Sequence, residues 1–310
     1  MKLFKLIYIS IGLILIIALI FTSFQGVSNT SKYLLEQALD MENIIEGEVW
    51  NGYKISKYPI AIRKGNNEYV FFNGNMEKRK ATLPVMAFTA YEYEVNINVF
   101  MLPFEDLESI IGPSGFSNNS SHEHQYIATI YHEGFHAYQM DNYPSLFELD
   151  NSPIDIDLIF EKIDNDEMLR KFYEREGEIL YNGINANDLE DTEELIYNYI
   201  LERERRQEFL RDRLSSDEYK TLISIENFYE LIEGTAKYME TKTMALLEDK
   251  NLYAEDIESL KDYKKNISKY YDTGMAISLL LDKVDSNWKD SVFKDNKFLF
   301  EKLKDSVGGV

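Results

Sequence analysis

Residues 132–136 read His-Glu-Gly-Phe-His, and two histidines four positions apart with a glutamate directly after the first leave this chain little freedom in how it folds. On a helix, His132 and His136 stand one turn apart on the same face, where both imidazoles can reach one divalent ion. Glu133 then projects toward the open metal position, close enough to take a proton from bound water. A catalytic site needs a third protein ligand and leaves the fourth position to water. The chain holds only 4 histidines and none follows His136, so a three-histidine set is excluded. The third ligand is expected to be a carboxylate from a second helix, so the fold has to bring two remote segments together.

The segment that offers this carboxylate is residues 226–240, ENFYELIEGTAKYME. The small residues after Glu233 let its helix approach the histidine helix closely, which the short reach from carboxylate to metal requires. Glu230, one turn earlier, is the alternative ligand. Glu240, two turns after Glu233, is placed either to orient a ligating histidine or as a solvated charge.

Charge and composition bound the rest. Lys+Arg 33 against Asp+Glu 54 gives a net charge of −21, which phosphate backbones would repel, so nucleic acid is not an expected partner. Cysteine is absent, which removes thiol catalysis, disulfides and cysteine zinc knuckles. Residues 6–24 are an almost unbroken apolar run preceded by Lys2 and Lys5. As a helix the run would span roughly 28 Å, close to the thickness of a bilayer core. The flanking charges favour the N-terminus inside and the bulk of the chain outside. Residues 22–26 (Thr-Ser-Phe-Gln-Gly) lack a small-x-small cleavage pattern, so an uncleaved anchor is favoured over a signal peptide, whose removal would leave a secreted protein.

The pattern along the chain predicts a helix capped by Ser31 and running to about residue 46. Short β-branched and aromatic runs at 53–56, 60–63 and 68–72 predict strands, with turns at Gly65-Asn66-Asn67 and Asn73-Gly74-Asn75. Residues 89–100 (TAYEYEVNINVF) alternate as one half-buried strand does. A capping box of Ser120 and Glu123 starts a helix through the histidine motif to about residue 139. His122 and His124 are then expected before it, in a polar loop facing solvent. Beyond Pro153, apolar residues at three-to-four spacing predict helices over 156–181, 191–213, 217–248, 254–271 and 274–303. Arg203, Arg205, Arg206, Arg211 and Arg213, interleaved with acids, predict a salt-bridged helix face. A sheet followed by helices is α+β. The expected divisions are a membrane segment at 1–25, a linker and helix at 26–46, a β-rich part at 47–120 and a helical part at 121–310.

With these motifs in view, the chain resembles the gluzincin metallopeptidases, most closely the aminopeptidase N family. That family carries a second helix of the form E-G-x-A-x-Y-x-E, and residues 233–240 read Glu-Gly-Thr-Ala-Lys-Tyr-Met-Glu. It also carries Y-x-x-G-x-A before an apolar helix, matched by Tyr271-Asp272-Thr273-Gly274-Met275-Ala276. The resemblance implies a small mixed or antiparallel sheet followed by a thermolysin-like zincin body. It implies one Zn²⁺ per chain held by His132, His136 and Glu233, Glu133 as the general base, and Tyr271 as the group that stabilises the tetrahedral intermediate, with Tyr270 and Tyr238 in reserve. The departures are specific. His136 and Glu233 are 233 − 136 = 97 positions apart, more than in those relatives, so an insertion of about 151–216 is expected. The G-x-M-E-N strand with which that family reads a free amine is missing. The implied function is a membrane-anchored extracytoplasmic zinc peptidase acting on peptides or proteins. An aminopeptidase-type exopeptidase and a non-catalytic surface protein with a structural zinc are the alternatives.

Overall fold

The computed structural model describes residues 26–83, 87–111, 119–147, 154–295 and 297–308. The apolar run at 6–24 lies outside them, and among the described residues no helix is long and apolar enough to cross a membrane. The chain is mixed α+β, a five-stranded sheet followed by helices, and it divides into two compact units at Asp141/Asn142.

The first unit opens with α1 (Asn29–Asp40) and α2 (Glu42–Glu48). The N-cap of α1 is Ser28, whose hydroxyl accepts the Ser31 N–H; Ser31 itself is fully buried and accepts the N–H of Phe104 at 2.9 Å. The expected cap therefore serves another helix, α3 (Phe104–Ile111), and the expected single helix breaks at Met41. The strands are β1 (Ile60–Lys64), β2 (Asn67–Phe72), β3 (Asn75–Lys80), β4 (Thr89–Tyr93) and β5 (Asn96–Met101), in the order β3-β2-β1-β5-β4. Only β1 and β5 pair in parallel.

Three strand expectations are corrected. Residues 53–56 are not a strand: Tyr53 and Ile55 are buried, and a 3₁₀ turn spans Ile55–Lys57. Residues 89–101 are two strands, because the chain reverses at Glu94-Val95, with Glu94 at φ +57° and Tyr93 paired with Asn96. An unforeseen edge strand, β3, follows the Asn73-Gly74 turn, whose φ values of +51° and +72° suit a two-residue hairpin. Its charged, exposed sequence carries no apolar alternation, so only the Asn-Gly turn pointed to it.

The last helix of this unit, α4 (Asn119–Asn142), carries the histidine motif. Tyr126, Ile130, Tyr131 and Phe135 on it are buried, Tyr126 donates to the Leu102 carbonyl at 2.8 Å and Tyr131 to that of Ala38 at 2.5 Å. Gly134 lies where Tyr53 and Ile55 pack: a Cβ there would stand 2.0 Å from Ile55 Cδ1 and 2.4 Å from Tyr53 Oη.

The second unit is helical: α5 (Ile156–Asn165), α6 (Glu167–Asn185), α7 (Leu189–Arg211), α8 (Ser216–Leu246), α9 (Lys250–Glu258), α10 (Ser268–Val284), α11 (Trp288–Ser291) and α12 (Leu299–Ser306). Asp166 caps α6 and so breaks the helix expected over 156–181. Ser215 and Glu218 form a reciprocal capping box that starts α8. The helix boundary expected between Tyr271 and Gly274 is absent, and α10 runs through both. Gly274 is there for contact: a Cβ on it would meet the Glu230 carbonyl at 2.2 Å and Gly234 Cα at 2.7 Å, so α8 and α10 touch backbone to backbone.

Candidate metal centre

Among the described residues, one group of side chains could hold a metal ion. His132, His136 and Glu233 each offer one ligand atom, and these atoms lie within 4.8 Å of one another. Two imidazole nitrogens and a carboxylate oxygen match the donor set of a zinc site that keeps its fourth position open.

The two histidines stand on α4 and Glu233 on α8. The rings of His132 and His136 meet edge to face at 4.9 Å, as i, i+4 neighbours on α4. His136 Nδ1 lies 2.9 Å from Gln139 Oε1, a contact that orients the ring. Gln139, one turn after His136, was not among the expected residues, though its i+3 spacing could have marked it. Glu133 is buried on the same helix.

On α8 the glutamates 226, 230 and 233 recur at i, i+4 and i+7, so all three share one stripe. Arg203 donates two hydrogen bonds to Glu230, at 2.8 and 3.0 Å, and lies 2.6 Å from Glu226. Arg206 donates twice to Glu226, at 2.9 and 3.0 Å, and to Glu176 at 2.6 Å. Arg203 and Arg206 are 0% and 1% exposed, so the expected salt-bridged face is a buried network. Burial and the neighbouring charge of Glu226 raise the Glu230 carboxyl, against the pull of Arg203. Glu230 is thus spent on Arg203, and Glu233 is the carboxylate grouped with the histidines. Glu240 pairs with Lys237 at 3.1 Å.

Tyr271 lies on α10, its ring stacked on Tyr229 at 6.0 Å and 19°. Burial, then the charge of Glu233, pushes the Tyr229 hydroxyl up to about 12. The two reserve tyrosines have structural partners. Tyr270 is in the core with its hydroxyl 3.5 Å from that of Tyr173, and Tyr238 donates to Asp282 at 2.7 Å. The other histidines are corrected: both lie inside α4, which starts at Asn119, and His122 is only 6% exposed because it precedes Tyr126 and Ile130 on a buried stripe.

No protein-family model matches the chain, and no curated protein or solved structure matches it either.

Proposed function

We propose that this chain is a zinc metallopeptidase of gluzincin type, with a zincin-like catalytic body, anchored in a membrane by residues 6–24 and acting outside the cell on peptides or proteins. The observation that carries the reading is the grouping of His132, His136 and Glu233 within 4.8 Å, with Glu133 next to the first of them. Bound by these three side chains, a zinc ion supplies a Lewis acid for the peptide carbonyl and lowers the pKa of a water to about 7. Glu133 accepts the proton of the attacking water and delivers it to the leaving amine. The Tyr271 hydroxyl donates to the oxygen on which negative charge develops. Gln139, in contact with His136 Nδ1, would hold the orientation of that ring. A structural site has no use for a base at Glu133 and would fill its fourth position with a protein ligand.

The test combines metal analysis with hydrolysis of a random peptide library by the full chain. Glu133→Gln is expected to retain one zinc per chain and to lose about 10²–10⁴-fold in turnover. A wild-type chain that holds stoichiometric zinc and cleaves no member of the library would overturn the peptidase reading.

A further inference from the structure

In a chain of net charge −21, the β2–β3 hairpin is an exception. Along β3 the side chains of Met76, Lys78 and Lys80 alternate onto one face, opposite Phe71, Tyr69 and Asn67 of β2. All three are exposed, Met76 by 48%, and neither lysine makes an ion pair among the described residues. Lys78 Nζ lies 5.7 Å from the centre of the Tyr69 ring. Lys64, at the end of β1, extends the same face and is partly offset by Asp106 at 4.0 Å.

The described chain enters at this face. A Cβ on Gly26 would stand 3.6 Å from Tyr69 Cε1, and Val27, 5% exposed, already belongs to the core. Two residues therefore separate the apolar run ending at Phe24 from the folded body. Fully extended, that tether spans about 10 Å. With residues 6–24 in a bilayer, as proposed above, so short a tether would keep Tyr69 and its neighbours at the headgroup layer, within about one Debye length of its charge.

We propose that the Met76-Lys78-Lys80 face of the β2–β3 hairpin docks on the bilayer that holds residues 6–24, its lysines on anionic headgroups and Met76 at the acyl boundary. This rests on the anchored reading above. Each lysine near an anionic surface favours the docked state about fivefold, so the pair contributes roughly 30-fold, and the tether removes the cost of finding the surface.

The absence of cysteine permits the test on the full chain, with an environment-sensitive fluorophore on Met76→Cys and, as a reference, on Val95→Cys, whose side chain is 90% exposed at the β4–β5 turn. The chain is reconstituted in phosphatidylcholine vesicles with or without about one quarter phosphatidylglycerol. Flotation with the neutral vesicles reads the anchor; shielding of the label from aqueous iodide reads the docking. We expect flotation in both lipids. Position 76 should be shielded over position 95 in the anionic vesicles, with the shielding relieved by about 0.5 M salt and by Lys78→Glu with Lys80→Glu. A chain that floats but leaves position 76 as accessible as position 95 overturns the docking and spares the anchor. A chain that does not float with neutral vesicles overturns both.

Discussion

Three glutamates on one stripe of α8 face different fates because of two arginines on α7. Glu226 and Glu230 neutralise Arg206 and Arg203 in a buried network, and Glu233, one turn further, is grouped with His132 and His136. Breaking one side of a buried ion pair costs about 3–5 kcal/mol, since it strands the other charge. Glu230→Gln is therefore expected to lower the denaturant midpoint while one zinc per chain is retained. Glu233→Gln should do the reverse, losing the metal while keeping most of the stability that the wild type has in chelator. Metal content and unfolding curves of the two variants separate these outcomes, and zinc loss in Glu230→Gln alone would exchange the ligand assignment. Tyr271→Phe should bind zinc normally and lose about 10²–10³-fold in turnover, as removal of one oxyanion donor does. Lys269 gives a pH test. It is buried among the rings of Phe160, Tyr173, Tyr263 and Tyr270, 3.6 Å from Asp164, with its ammonium donating to the Asn266 carbonyl. Burial pulls it down to about 8. Between there and the unfolded value near 10.4 the unfolded chain holds more protons, so stability rises with pH across that window. Relative to Lys269→Met, the wild type should gain on the order of 3 kcal/mol between about pH 7 and 10.5, measured by denaturant unfolding; a flat difference would refute a depressed ammonium.

At the scale of elements, the register between α8 and α10 depends on two glycines. Gly234 and Gly274 allow the helix backbones to touch, and a Cβ on Gly274 would stand 2.2 Å from the Glu230 carbonyl. Gly274→Ala must push α10 off α8 and is expected to cost at least the 1–3 kcal/mol typical of overpacking, together with weakened zinc binding through displaced Glu233. Thermal unfolding and a metal titration of that variant check both. Long helices were legible where an apolar face repeats over several turns, as on α6, where Leu169, Tyr173 and Leu180 are buried. The ends and joints were not. Gly274 reads as a breaker in sequence, yet its lack of a side chain serves packing between helices. The β4–β5 reversal has no turn signature in Glu94-Val95, so the alternating run passes for one strand. β3 lacks an apolar pattern because both of its faces meet solvent, and the Asn-Gly pair alone announced it.

For the whole molecule, a metal held only by the folded chain adds stability by mass action, about 4 kcal/mol when free zinc exceeds its Kd a thousandfold. Chelation should lower the Tm, zinc should restore it, and Glu233→Gln should show little response to either. An equal response in that variant would place the metal elsewhere. The sequence alone determined the α+β order of a sheet followed by helices, since periods of two and of three to four residues are written locally. It also determined that His132, Glu133 and His136 share one helix, because four positions make one turn. The resemblance favoured Glu233 and spacing left Glu230 as its alternative; what holds Glu230 was decided only in three dimensions. The buried guanidinium of Arg203, which comes from a different helix, claims Glu230, and Glu233 is the acid grouped with the histidines.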